Sequence, residues 1–166
     1  MATTDLVHDP EERRLPLQRF RFLLGHFRGE GQYVHGTNVF HKEMDGTWEA
    51  GGRFIGLRMS VTYPLGDGRK DIHEAFIMIG AQSASGLFEA QAYTDGGAVQ
   101  TYHLDLQGDT ISFDDQPPTL HGIKIVRARK SFTPTVDGFE ERLDIDRGTG
   151  HFEPYSVVTL RRVAEC

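Results

Sequence analysis

The chain has 166 residues, the size of one domain with no room for two ordinary ones, and a domain of this length buries roughly 70% of the surface its unfolded chain exposes. Apolar residues make up 38% and charged residues 25%, which suggests neither disorder nor a membrane span. Lys plus Arg number 18 against 24 Asp plus Glu, a net charge of -6, so no nucleic-acid partner is expected; such partners need cations facing phosphates.

Residues 1–14 are polar and are expected to form a flexible N-terminal segment, although Asp9-Pro10-Glu11-Glu12 has the cap and first-turn chemistry of a short helix. The segment carries acidic residues and no apolar stretch of the kind a secretion signal needs, so a cytoplasmic location is the expectation. The single cysteine, Cys166, agrees with a reducing compartment and allows no intramolecular disulfide. From Leu15 the pattern turns helical: Leu17, Phe20 and Leu24 recur at i, i+3 and i+7, and Gly25 stands where the helix would stop.

After Gly25 the period is two. Ile55, Leu57, Met59, Val61 and Tyr63 form one phase of a strand. Tyr102, Leu104 and Leu106 form a second, and Phe139, Glu141, Leu143 and Ile145 a third. Turn signals punctuate these runs at Asp45-Gly46, Gly66-Asp67-Gly68, Ser85-Gly86, Asp95-Gly96-Gly97, Gly108-Asp109, Pro117-Pro118, Asp137-Gly138 and Gly148-Thr149-Gly150. The spacing predicts about nine or ten antiparallel strands between Gly25 and Arg162. With no second helix to cover a sheet, the chain must form a sandwich or a closed barrel. Closure removes the exposed edges and accepts polar residues on an inner face, so residues 15–166 are read as one all-β, up-and-down antiparallel barrel behind a short N-terminal helix.

The segment Phe22-Leu23-Leu24-Gly25-His26-Phe27 and the closing run Ser156–Val163 resemble the calycin pattern of lipocalins and fatty-acid-binding proteins. In that pattern a helix leads into a first strand carrying G-x-W, and an arginine of the last strand packs on the ring. The resemblance implies Phe27 in the tryptophan's place, with Arg161 or Arg162 stacked over it. LLGHFRGEG is also similar to the first strand of nitrobindins, a haem-binding calycin family, and GGRFIGLRM with IHEAFIMIG resembles a bacterial lipocalin-like family of unknown function. Nitrobindins hold haem through a histidine shortly before the final arginine; the matching position here is Tyr155, and His151 lies four residues upstream, so no haem is expected. Calycin relatives often dimerise through a barrel face, and the resemblance allows a homodimer.

The eight histidines show no H-x-H or H-E-x-x-H spacing, so no metal is expected. There is no G-x-S-x-G, and the glycine-rich stretches precede strands rather than helices, so hydrolase and phosphate-cradling readings fall away. What is left is hydrogen-bonding or acid–base chemistry inside an apolar barrel. Glu74 stands among Ile72, Phe76 and Met78, where a carboxyl could serve as acid or base; the alternative is a solvent-facing glutamate paired with Arg53 or Arg58. If Phe27 points inward, alternation carries Gly29, Gly31 and Tyr33 inward, with the glycines opening space beneath a phenol. Tyr63, Tyr93 and Tyr155 are further candidate ligand-binding phenols, as is Tyr102, and Arg129 is a candidate partner for an anionic group. Two functions lead: a module binding a small, largely apolar molecule in the lumen without a cofactor, or a cofactor-independent cyclase or isomerase with Glu74 and Tyr33 as catalytic groups; a haem-binding, nitrobindin-like protein is a third, disfavoured by the missing histidine. None calls for a membrane partner.

Overall fold

The computed structural model describes residues 10–81, 87–115 and 127–164. Pro10–Arg14 form one turn of α-helix (α1), with Glu11 and Glu12 at its positive end and Arg13 and Arg14 at its negative end. Leu15–Leu23 continue as a 3-10 helix. Its buried residues are Leu17, Phe20 and Leu23, three apart, which is the repeat of a 3-10 helix rather than the 3.6 of an α-helix. Leu24, expected on the buried stripe, is instead the extended residue that ends the helix.

Ten strands follow: β1 (Gly25–Tyr33), β2 (Val39–Glu49), β3 (Phe54–Pro64), β4 (Lys70–Ala81), β5 (Phe88–Thr94), β6 (Val99–Gln107), β7 (Thr110–Asp115), β8 (Arg127–Pro134), β9 (Gly138–Asp146) and β10 (Glu153–Arg162). Each pairs antiparallel with its chain neighbour, and β1 closes on β10, so the sheet is an up-and-down barrel without an edge. Most of the turn signals fall between strands. Asp45-Gly46 does not: it lies inside β2, where Gly46 pairs with Gly25. A Cβ on Gly46 would sit 1.8 Å from the Leu23 carbonyl oxygen, so this glycine admits the end of the 3-10 helix against the sheet instead of turning the chain. Ser85-Gly86 and Pro117-Pro118 lie outside the described residues.

The 3-10 helix lies against one end of the barrel. Phe20 packs edge-on to Phe88 with centroids 4.9 Å apart, Phe22 meets Phe139 at 6.0 Å, and the Arg19 guanidinium donates to the Gly108 carbonyl at 2.8 Å. Behind it an aromatic chain runs Phe113–Phe132–Phe139–Phe27, with centroids 5.0, 5.3 and 5.1 Å apart, every ring fully buried. Arg162 closes this end: its guanidinium lies 4.7 Å from the Phe27 ring centre and donates to the Leu24 carbonyl. The register selects it over Arg161. Phe27 and Arg162 are directly opposed across β1–β10 and share a face, whereas Arg161 turns outward to within 3.5 Å of Asp137.

Phe27 is wholly buried and touches both the aromatic chain and Arg162, so Phe27→Ala should cost about 3–5 kcal/mol in urea denaturation. A loss under about 1 kcal/mol would mean that the ring does not seal this end.

Candidate functional site

The inward phase of the strands divides the lumen into two halves. The half beneath the helix is filled by the aromatic chain with Ile55, Leu57, Ile79 and Leu160. The other half opens toward the β1–β2, β3–β4, β5–β6 and β9–β10 connections. There Lys42, Met59, Val61, Ala75 and Lys130 line a cavity of 360 Å³ whose rim is formed by His73, Glu74 and Thr94–Gly96.

Three charged side chains from three strands meet in this half. Lys42 of β2 and Glu141 of β9 are each almost fully buried and bonded through Nζ and Oε2, and the half-buried Lys130 of β8 stands 3.6 Å from the other carboxylate oxygen. Each takes an inward position because its strand neighbours in the same phase are Phe40 and Met44, Phe139 and Leu143, or Ala128 and Phe132. Two ammonium groups thus share one carboxylate where water is scarce. Burial lowers Lys42 from 10.5 to about 8, with Glu141 pulling upward and Lys130 adding to the fall. Glu141 is held below the usual carboxylate range: burial alone would raise it, but Lys42 and Lys130 together outweigh that.

Above the cluster, at the mouth, stand Tyr33, Tyr63 and Tyr155. Tyr33 packs 5.2 Å from Tyr155 and 5.3 Å from Phe40, and Phe40 lies 5.5 Å from Tyr63. The Tyr33 and Tyr63 hydroxyls are hydrogen-bonded to each other. Burial, then the neighbouring phenols, push Tyr63 up to about 12 and Tyr33 upward, so both stay protonated donors at neutral pH. Of the candidate phenols, Tyr33, Tyr63 and Tyr155 are thus brought together. The space expected beneath Tyr33 is not there. Gly29 and Gly31 open no space, because a Cβ on Gly29 would meet the Thr159 carbonyl at 2.2 Å and one on Gly31 would meet the Phe40 ring at 2.3 Å.

Three other expected site residues face outward. Glu74 is exposed on the outer phase of β4 with Ile72, Phe76 and Met78, touching the cavity only at its rim; Ala75, Ile77 and Ile79 are the inward set. The apolar company that singled out Glu74 is therefore on the outer wall, and the desolvation a catalytic carboxyl would need there is missing. Tyr93 pairs with Phe76 across β4–β5, is 43% exposed and donates to Gln91 at 3.0 Å. Arg129 lies over Phe152 at 4.1 Å, opposite Asp144 on the outer face; its neighbour Lys130 is the cation that enters the lumen. Tyr102 is half-buried and donates to Gln100 at 2.9 Å.

Lys42 and Glu141 were missed although the signal was present, a charge on the apolar phase of a period-two run. At the position matching the nitrobindin histidine, Tyr155 sits edge-on to Tyr33, and His151 is exposed in the loop before β10. Among the described residues no group of three or more His, Cys, Asp or Glu side chains is arranged to hold a metal, and no helix is long and apolar enough to cross a membrane.

The two-to-one charge ratio makes the cluster asymmetric. Glu141→Gln leaves two facing ammonium groups and should cost about 3–5 kcal/mol, whereas Lys42→Met leaves Lys130 with Glu141 and should cost less. Glu141 has a lowered folded pKa, so its contribution is complete above about 4.5 and lost as pH falls through the folded value; Lys42 is also lowered, so its burial penalty is relieved as pH rises from 8 to 10.5. Urea denaturation from pH 4 to pH 10.5 should therefore show Glu141→Gln with the shallower acid limb, and equal costs for the two variants would contradict the shared-carboxylate arrangement.

No protein-family model matches the chain, and no curated protein matches it in sequence. Among solved structures, it is similar to the crystal structure of Rv2717c from M. tuberculosis, with a TM-score of 0.61 over 90% of this chain and 98% of that one, at 17% identity. At that identity the likeness is one of fold, and the ten-strand antiparallel barrel is consistent with a calycin-like architecture.

Proposed function

We propose that this protein binds a small, largely apolar molecule in the open half of the barrel, with one oxygen acceptor of the ligand directed at the lysines. The observation that carries this reading is the Lys42–Glu141–Lys130 cluster, whose two lysines line a 360 Å³ cavity with Met59, Val61 and Ala75, beneath the rim of His73, Glu74 and Thr94–Gly96. That volume lies in the range of ligand pockets, and the lining has their composition, apolar with a few convergent polar groups. The excess positive charge has no protein counterpart in the cluster, so an oxygen acceptor brought in by a ligand would be favoured there. Tyr33 and Tyr155, which line a neighbouring pocket at the same end of the barrel, supply further phenol hydroxyls. The cyclase or isomerase reading retains Tyr33 but has lost Glu74 from the lumen, and no other observation favours it over binding.

Anilinonaphthalene sulfonate, apolar with one anionic group, is a direct probe. It should bind one to one with enhanced fluorescence. Ala75→Trp, or the milder Val61→Phe, should abolish binding while the thermal transition is kept, because both fill the cavity. Lys130→Met should weaken it roughly tenfold or more, the loss expected for one hydrogen bond to a charged group. Unchanged binding in the two folded, cavity-filled variants would overturn the proposal. Tyr33→Phe should reduce affinity for a carbonyl-bearing ligand by about 0.5–1.5 kcal/mol, measured by titration calorimetry.

A further inference from the structure

We propose that Lys42 is a covalent ligand-binding residue, and that the lumen retains an apolar aldehyde or ketone as an imine on its Nζ with Glu141 relaying the protons. This rests on the lumen-binding reading above and adds the class of ligand and the bond. Three structural features meet at one side chain. Lys42 is buried yet is among the residues that line the cavity. Glu141 is bonded directly to its Nζ, where a carboxylate can carry a proton between the nitrogen and a carbonyl oxygen. Lys130 is within 3.6 Å of the same carboxylate, so when Lys42 gives up its proton the cluster goes from two cations and one anion to one of each. In most buried ion pairs deprotonation strands the carboxylate; here it removes an excess charge.

The groups facing Lys42 are Glu141 from β9, Lys130 from β8 and, further toward the mouth, Tyr63 from β3, Tyr33 from β1 and His73 from β4. The balance of these leaves Lys42 near 8, so at pH 7.5 roughly two hundredfold more of it is neutral than of a solvent-exposed lysine.

The step balances without an added oxidant or reductant. Lys42 reacts as the neutral amine, its proton lost to solvent, with Glu141 still a carboxylate. The nitrogen lone pair attacks the carbonyl carbon, and as the C–N bond forms the carbonyl π electrons move to oxygen. Glu141 takes one proton from the nitrogen and gives it to that oxygen, leaving a neutral carbinolamine. The remaining N–H proton passes through Glu141 to the hydroxyl as the C–O bond breaks, water leaves, and the nitrogen electron pair forms the C=N bond. An amine and a carbonyl have become an imine and one water.

Cinnamaldehyde is a suitable probe, small, apolar and chromophoric, with cinnamyl alcohol as its matched non-electrophile. Full-length protein is incubated with cinnamaldehyde and cyanoborohydride, which reduces the imine to a stable secondary amine, and intact mass and peptide mapping follow. The expected product is one adduct per chain, of the aldehyde's mass less one oxygen, on Lys42 in preference to Lys70, Lys124 and Lys130, the other three lysines. Its rate should rise with pH with a midpoint near 8, as Lys42 loses its proton. Lys42→Arg keeps the cation and should abolish the adduct while still binding cinnamyl alcohol. Glu141→Gln, if folded, should slow adduct formation at least about tenfold, the smaller effects of proton-transfer catalysts being about a hundredfold. Modification spread over the exposed lysines at rates equal to Lys42, or cinnamyl alcohol binding with no adduct at all, would overturn the imine and leave the binding proposal standing. Wild-type protein that binds neither cinnamyl alcohol nor the fluorescent sulfonate would overturn both.

Discussion

A barrel loses its edges only if the first and last strands meet in register, and β1 must therefore satisfy β2 on one side and β10 on the other throughout its length. That double pairing governs the rest of this molecule. Three of the nine residues of β1 are glycine, and each stands at a close approach: Gly25 beneath the Arg162 guanidinium, Gly29 against the β10 backbone and Gly31 beneath the Phe40 ring. Phe27, between them, faces Arg162 and the aromatic chain. Seam closure and end closure are thus one structural event, and the guanidinium that stacks on Phe27 also satisfies a carbonyl at the end of the 3-10 helix.

The seam also shapes the site. β1 and β10 lie between β2, which carries Lys42, and β9, which carries Glu141. In register, Gly29 is opposite Lys42, Gly31 opposite Val158, and Val158 opposite Glu141. Leu160 is opposite Gly29 as Val158 is opposite Gly31, so on the inner wall between the two charges β10 contributes side chains and β1 contributes none of its own. The Phe40 ring lies over Gly31, and the lysine and the carboxylate meet beside it.

The two halves of the lumen carry different burdens. Close-packed rings near the helix supply stability through area removed from water and leave no room for a guest. The open half has a cavity and a buried charge cluster, a poor way to gain stability but a strong determinant of what can sit there. Two ammonium groups sharing one carboxylate leave an excess positive charge, and both proposals above rest on how that excess is relieved.

Local pattern alone determines much of this architecture: period-two alternation and short-range turn signals specify antiparallel strands, whereas the pairing of Phe27 with a terminal arginine at the closed end was implied by the calycin resemblance. Strand phase was legible where only one phase is apolar, as in Ile55 through Tyr63 or Phe139 through Ile145. It was not legible in β4, where Ala75, Phe76, Ile77, Met78 and Ile79 are apolar on both phases, so Glu74 could be set on either face; nor in β8, where Arg129 and Lys130 are adjacent cations and only pairing opposite Asp144 and Leu143 separates them. Asp45-Gly46 reads as a turn until the helix end is brought against it. The Lys42–Glu141 pair joins residues 99 apart on β2 and β9, strands that are not neighbours, whereas Lys130 on β8 lies beside β9. Each charge could be seen on an apolar phase, but the arrival of Lys42 depends on barrel closure, because only a closed sheet turns the inner face of β2 toward those of β8 and β9.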